Sequence, residues 1–397
     1  MKKRTFFSLV FLFICLGKLF AQVQPKYSNL DYGGSGNVRQ MLDIYLPSLG
    51  NGPFPIVVWI HGGGWMSGSK SNVNGIYLLN HGFAIVSINY RLTGEAIFPA
   101  QIHDCKGAIR WLRANAHKYN LDPNKIGVFG SSAGGHLVAL LGTSEGVENL
   151  EGNVGGNLSY SSKVQAVCDW YGPSNFVTIV NYPSGIDHSL ATSPEGRLIG
   201  GAIKDNIDKA IAASPITYVS SDDPPFLIMH GTADMTVPFH QSVELDSAFK
   251  KINHDVLFIP QIGAGHGSGA FDSDSTKNRI INFFKRTLLT NTSVGSIEKI
   301  PSDFSLAQNF PNPFNPSTII NFNIPAQTKY SPSAQRVSLK IYDLLGQEIK
   351  TLIDEYKSPG EYKVIFSTDG FQISSGIYYY RLQVGEFSET KKMVLLR

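Results

Sequence analysis

Residues 130–134 read Gly-Ser-Ser-Ala-Gly, a G-x-S-x-G pattern centred on Ser132, and their flanks restrict what the chain around them can fold into. The apolar run Lys125-Ile-Gly-Val-Phe129 before the pattern predicts a buried strand, and Gly135-His-Leu-Val-Ala-Leu-Leu141 after it predicts a helix. A strand, a tight turn and a helix with serine at the apex expose the hydroxyl above a sheet edge. Small residues on both sides let the two backbones pass without collision. A bare G-x-S-x-G says little; the strand before it and the helix after it give it meaning.

A serine hydroxyl is a poor nucleophile until a base takes its proton, and the base needs an orienting acid. Both are present downstream, in the order Ser, Asp, His. The run Pro225-Phe-Leu-Ile-Met229 predicts a core strand ending in His230-Gly-Thr-Ala-Asp234, which puts Asp234 on a loop at the strand's C-terminal end. The next strand, Val256-Leu-Phe-Ile259, leads into Gly263-Ala-Gly-His266-Gly, with His266 on a glycine-rich loop before the last helix. Upstream, Pro55-Ile-Val-Val-Trp-Ile60 runs into His61-Gly-Gly-Gly-Trp65. Two N–H groups of that glycine turn, with the N–H of Ala133, could hold the negative charge of a tetrahedral intermediate. Each part alone also reads as an ordinary turn or a solvated loop residue. Together, in order and each at a strand end, they predict a catalytic serine.

The chain is 397 residues long, enough for two or three domains. A hydrophobic content of 42% and a charged content of 16% suit a well-packed globular protein. A net charge of +3 gives no case for nucleic acid as partner or for a membrane surface. No zinc-type Cys or His spacing occurs, and no cofactor is implied. Residues 1–21 pair a basic start with an apolar run too short to span a bilayer, the pattern of a secretory signal peptide. Ile14 before Cys15 is too large for a lipid-attachment site. Cys105, in an amphipathic helix, and Cys168, in a core strand, read as buried free thiols; one disulfide between them stays open.

Strand patterns at 41–46, 56–60, 83–90 and 164–170 alternate with helical spacing at 98–119, where Ile102, Cys105, Ile109 and Leu112 share a face, and with a closing helix at 278–289. This predicts an α/β fold with a mostly parallel sheet covered on both faces. Residues 143–162 read as a surface loop. Residues 173–223 are longer than a crossover needs and are a candidate cap over Ser132. The expected organisation is signal peptide 1–21, catalytic domain 22–290, linker 291–303 and an all-β immunoglobulin-like sandwich at 304–397. In the sandwich, strands are expected at 337–342, 362–366, 376–383 and 391–396.

The region from Tyr27 to Leu289 resembles α/β-hydrolases of the hormone-sensitive-lipase-like group, most of all the bifunctional feruloyl and acetyl-xylan esterase-like family. The motifs are His61-Gly-Gly-Gly-Trp, Asn89-Tyr-Arg-Leu, Phe98-Pro-Ala-Gln-Ile-His-Asp, Ile109-Arg-Trp-Leu-Arg-Ala-Asn, Gly130-Ser-Ser-Ala-Gly-Gly-His, Ala213-Ser-Pro-Ile-Thr-Tyr and Asp223-Pro-Pro-Phe. The resemblance implies Ser132 as nucleophile, Asp234 as acid, His266 as base, and Gly62 and Gly63 beside Ala133 as the oxyanion hole. It implies an ester substrate borne on plant polysaccharide.

The tail, through Ser305-Leu-Ala-Gln-Asn-Phe-Pro-Asn-Pro-Phe-Asn-Pro-Ser-Thr318, Ile341-Tyr-Asp-Leu-Leu-Gly-Gln347, Ser375-Gly-Ile-Tyr-Tyr-Tyr-Arg-Leu382 and Lys391-Lys-Met-Val-Leu, resembles the C-terminal sorting domain of proteins exported by the bacterial type IX system. That implies the type IX machinery as partner, a Bacteroidetes-like host, and a secreted or cell-surface location reached through periplasm and outer membrane. A carbohydrate-binding or spacer sandwich is the plainer alternative for the tail. Two rivals remain for the larger region. A peptidase of the prolyl-oligopeptidase-like kind usually carries an N-terminal propeller, for which the sequence before the hydrolase pattern is too short. A non-catalytic adhesion protein on the same scaffold often lacks the serine or histidine.

Overall fold

The computed structural model describes residues 23–289, 303–325, 335–357, 360–368 and 373–396. The expected signal peptide and nearly all of the expected linker lie outside the described residues. The chain divides into two compact units on either side of residues 291 and 292.

The larger unit is built on an eight-stranded sheet in the order β1-β2-β4-β3-β5-β6-β7-β8. Its strands are β1 Tyr27–Asp31, β2 Met41–Tyr45, β3 Phe54–Ile60, β4 Ala84–Ile88, β5 Leu121–Ser131, β6 Ala166–Trp170, β7 Phe226–Gly231 and β8 Val256–Gln261. From β4 through β8 every neighbour pairs in parallel, while β1 and β2 form an antiparallel edge. Strands buried on both faces carry continuous apolar runs. Thus Ile56, Val58 and Ile60 of β3 enter one core with Ile102, Ile109 and Leu137, while Val57 and Trp59 enter the other with Ile280 and Phe284.

Among the described residues of this unit there are eight α-helices: α1 Ala100–Asn115, α2 Ala133–Thr143, α3 Glu148–Glu151, α4 Phe176–Ile179, α5 Pro194–Ile199, α6 Ile207–Ala213, α7 His240–Lys251 and α8 Asp274–Phe284. In α1 the expected stripe of Ile102, Cys105, Ile109 and Leu112 is fully buried. Cys105 and Cys168 are both free and buried. The expected closing helix begins a turn earlier than its apolar pattern, because Ser273 caps the Thr276 N–H. Residues 143–162 are more than a surface loop. They carry α3, and Glu151 there accepts from buried Lys106 at 2.7 Å and from Arg110 at 3.1 Å, pinning the segment to α1. The insertion at 173–223 contains α4, α5 and α6.

The smaller unit pairs a three-stranded antiparallel sheet, β13-β10-β9, with a four-stranded one, β12-β11-β14-β15. The strands are β9 Ser305–Leu306, β10 Ser317–Ile324, β11 Gln335–Tyr342, β12 Glu348–Lys357, β13 Gly360–Ser367, β14 Gly376–Val384 and β15 Phe387–Leu395. Residues of both sheets, among them Ile320, Phe322, Leu339, Tyr380 and Met393, form one apolar core, the mark of a sandwich. Strands β10 and β12 were not among those expected from the sequence.

Candidate active site

The register between β3 and β5 builds the site. Ile60 lies opposite Gly130, so the glycine turn after β3 and the serine turn after β5 emerge side by side. This is the crevice outside the carboxyl ends of the strands where α/β sheets bind ligands. Ser132 sits at φ 56° and ψ −121°, a strained conformation for a residue with a Cβ, held because its N–H donates to the Trp170 carbonyl at 2.8 Å. The two glycines of the pattern are steric requirements. A Cβ on Gly130 would fall on the Gly134 carbonyl, and a Cβ on Gly134 would fall on the Ile60 carbonyl.

Asp234 and His266 arrive from the loops after β7 and β8. The Ser132 Oγ lies 3.0 Å from His266 Nε2, and His266 Nδ1 lies 2.7 Å from Asp234 Oδ2. Asp234 has a fully buried side chain, and its other oxygen accepts the N–H groups of Thr236 at 2.8 Å and Val237 at 3.0 Å. Burial by itself would raise this carboxyl, but hydrogen bonds from His230 and His266 prevail and hold it well below the usual carboxylate range. An ionised Asp234 requires a proton on Nδ1 and leaves Nε2 free to accept from Ser132. The distances are those a nucleophile, base and acid require.

The other histidines do not share this geometry. His230 Nε2 comes within 3.3 Å of Asp234 but also donates to the Val237 carbonyl at 3.0 Å, and its Nδ1 meets Ser242 Oγ at 2.7 Å, so it braces the acid loop. His61 is pushed down to about 4 by burial, donates to the Gly62 carbonyl at 2.8 Å and stacks on Tyr90.

A cavity of about 430 Å³ opens at Ser132 and His266. Gly62, Gly63 and Ala133 line it. Ala133 is the first residue of α2, so its N–H has no partner within the helix. The insertion contributes Pro173, Ile186, Pro194 and Glu195, as a cap over the serine should.

Sequence reasoning missed several wall residues. Tyr171 stands at φ 44°, its ring 4.6 Å from the His266 ring and its hydroxyl beside Ser131. Its strain appears only in three dimensions. Met66 and Glu195 are also in the wall, and neither belongs to a pattern that announces a site. Among the described residues no group of three His, Cys, Asp or Glu side chains is placed to hold a metal ion.

This sheet order and site define an α/β-hydrolase. Residues 42–249, just over half of the chain, match the family model described as BD-FAE, and the chain belongs to that family. Residues 308–396 match the model of a secretion system C-terminal sorting domain. A truncated carbohydrate esterase from gut microbiota is 38% identical, with 66% of this chain and 96% of that one covered at a TM-score of 0.63. A bifunctional GH43-CE protein of Bacteroides eggerthii is 40% identical over 66% of this chain and 35% of its own, with a TM-score of 0.62. Esterase LipQ of Mycobacterium tuberculosis is 32% identical over 63% of this chain and 58% of its own length. The chain spans about half to three-fifths of the length of the curated relatives it matches.

Proposed function

We propose that this chain is a serine hydrolase of carboxylic esters, with Ser132 as nucleophile, His266 as general base and acid, and Asp234 as the group that orients the imidazole. The observation that carries the reading is the unbroken hydrogen-bonded line from Ser132 through His266 to Asp234 at the floor of a cavity. Ser132 attacks the ester carbonyl while His266 Nε2 takes its proton. The N–H groups of Gly62, Gly63 and Ala133 hold the oxyanion. His266 then protonates the leaving alcohol, and water repeats the cycle on the acyl-enzyme.

The substrate class proposed is an acetyl or feruloyl ester on plant polysaccharide. Two supports are the names of the relatives, a carbohydrate esterase and a GH43-CE protein, and a cavity whose Trp65, Met66, Ile186 and Val237 suit an apolar or aromatic acyl group. Residues 1–21 are proposed as an export signal and the β-domain as the address read by the type IX machinery, giving a secreted or surface enzyme. That reading is supported by the sorting-domain match.

Hydrolysis of p-nitrophenyl esters, methyl ferulate and acetylated xylan, assayed side by side, tests the reaction and the substrate class. Deleting residues 304–397 in a Bacteroidetes host tests the address. Active enzyme should then accumulate in the periplasm, and normal release of the truncated chain would refute the sorting role. Loss of activity on insoluble polysaccharide alone, with export intact, would favour a carbohydrate-binding sandwich.

A further inference from the structure

Among the described residues Glu195 is the only acid in the cavity wall, and the catalytic line does not use it. It lies in the first turn of α5, inside the insertion, and its side chain is 3% exposed. Pro194 beside it packs over the position a Cβ would take on Gly64, next to the glycine turn. A buried carboxylate is costly unless both oxygens find partners. One does: Oε2 is 2.9 Å from His188 Nδ1. His188 is itself buried, and its Nε2 meets Ser184 Oγ at 3.0 Å, which in turn reaches the Met235 carbonyl at 3.0 Å, one residue past Asp234. The carboxylate is therefore fixed in place relative to the acid loop.

The second oxygen, Oε1, has no hydrogen-bond donor among the described residues, yet it is not one of the occluded polar atoms. Glu195 belongs to the cavity wall, so this accessible oxygen is available to a molecule bound there. The fixed half of the carboxylate sets the direction of the free half.

We propose that Glu195 Oε1 is a hydroxyl-reading group of the substrate site, accepting a hydrogen bond from a free hydroxyl on the alcohol part of the ester. The inference rests on the ester-hydrolase reading and narrows it to esters of polyols and sugars. A hydroxyl beside the esterified oxygen supplies the donor that the oxygen lacks. A site built to bond a hydroxyl discriminates against analogues without one, because the buried acceptor is then left unpaired. Glu195 is a specificity-determining residue here, and it takes no proton in the reaction.

The test uses the full-length enzyme and three acetyl esters: p-nitrophenyl acetate, an acetylated xylo-oligosaccharide, and acetylthiocholine as a cationic ester. A fourth substrate is the same oligosaccharide acetate with its free hydroxyls methylated. Wild-type enzyme should favour the free oligosaccharide over the methylated one by roughly tenfold to a hundredfold in kcat/KM. Glu195→Gln keeps an acceptor for His188 and removes the charge; it should shrink that preference roughly tenfold, mainly through KM. The wild-type pair needs no variant to fold, so it stands even if Glu195→Gln is unstable.

Equal losses on all substrates in E195Q would make Glu195 only a clamp for the insertion and would overturn the proposal. A loss concentrated on acetylthiocholine would make it a cation site and overturn it as well. Wild-type turnover of p-nitrophenyl acetate with no preference for free hydroxyls would refute the inference alone. No turnover of any ester would refute the ester-hydrolase reading and the inference with it.

Discussion

The hydrolase domain and the β-domain both bury polar side chains, and one cluster in each shows a different way of doing so. In the β-domain the buried polar groups around Asn309 close on one another. Asn309 donates to Thr318 Oγ1 at 2.9 Å and to the Pro311 carbonyl at 3.1 Å, while the Tyr380 hydroxyl accepts the Asn309 N–H and donates to Ala307, each at 2.8 Å. In the hydrolase domain some are closed as well, as where Lys106 meets Glu151, but several others keep an atom without a partner. His61 Nε2, His136 Nδ1 and Asp169 Oδ2 are buried and unbonded. A closed polar network rigidifies a fold, whereas a buried polar atom without a partner carries a cost that the surrounding fold must offset.

Ser132→Ala gives the sharpest contrast between the regions. It should lower kcat for ester hydrolysis by about 10⁶ while leaving the thermal midpoint nearly unchanged, since no core contact is lost. Ser131→Ala, one residue from the apex, should change kcat far less. Stopped assays and thermal melts of the two variants separate the roles. Inactivation by the Ser131 change alone would move the nucleophile.

Two of the buried carboxyls of the hydrolase domain, Asp169 and Asp234, should respond to pH with opposite sign. Asp169 is pushed up to about 7 by burial, against an opposing hydrogen bond from the Gly172 N–H. The folded form then holds a proton that the unfolded chain releases, so stability falls as pH rises from about 4 to about 7. Asp234 is depressed, so its contribution is present above the unfolded value and is lost only in strong acid, as pH falls through the folded value. Denaturant unfolding of wild type at pH 5 and pH 8 should show the Asp169 loss, on the order of 2–3 kcal/mol. Asp169→Asn should flatten it, and an unchanged slope in that variant would assign the loss elsewhere.

Gly134→Ala should cost about 1–3 kcal/mol by overpacking and should also lower kcat, because the elbow must move away from the Ile60 carbonyl. In the β-domain, Asn309→Ala should cost about 1 kcal/mol for its lost hydrogen bonds with kcat unchanged. A matching loss of activity there would erase the contrast between the two regions. Calorimetry and initial rates on the two variants decide it.

Much of this was legible in the chain, for physical reasons. Ser132, Asp234 and His266 each follow an apolar strand, and short strand-to-loop junctions leave little freedom in where such residues go. Beyond Gly62, Gly63 and Ala133, the individual residues of the pocket wall were not legible. Tyr171 gains its place from a positive φ, and Glu195 from an insertion whose fold depends on tertiary contacts. Strand β1 carries no sequence signal because Tyr27-Ser-Asn-Leu-Asp31 is short and half polar, and only pairing with β2 makes it a strand. β12 is an exposed edge strand with little apolar signal. β10 does alternate, with Thr318, Ile320, Phe322 and Ile324 turned inward, and it follows directly on the Asn-Pro-rich motif.

The central claim is that Ser132 is the nucleophile and His266 its base. A fluorophosphonate that phosphonylates activated serines tests it directly, with the adduct mapped by peptide mass spectrometry. One adduct per chain, on Ser132, should form in step with the loss of esterase activity, and His266→Ala should abolish labelling. An adduct on Ser131 or elsewhere, or full esterase activity in a chain fully labelled at Ser132, would contradict the account.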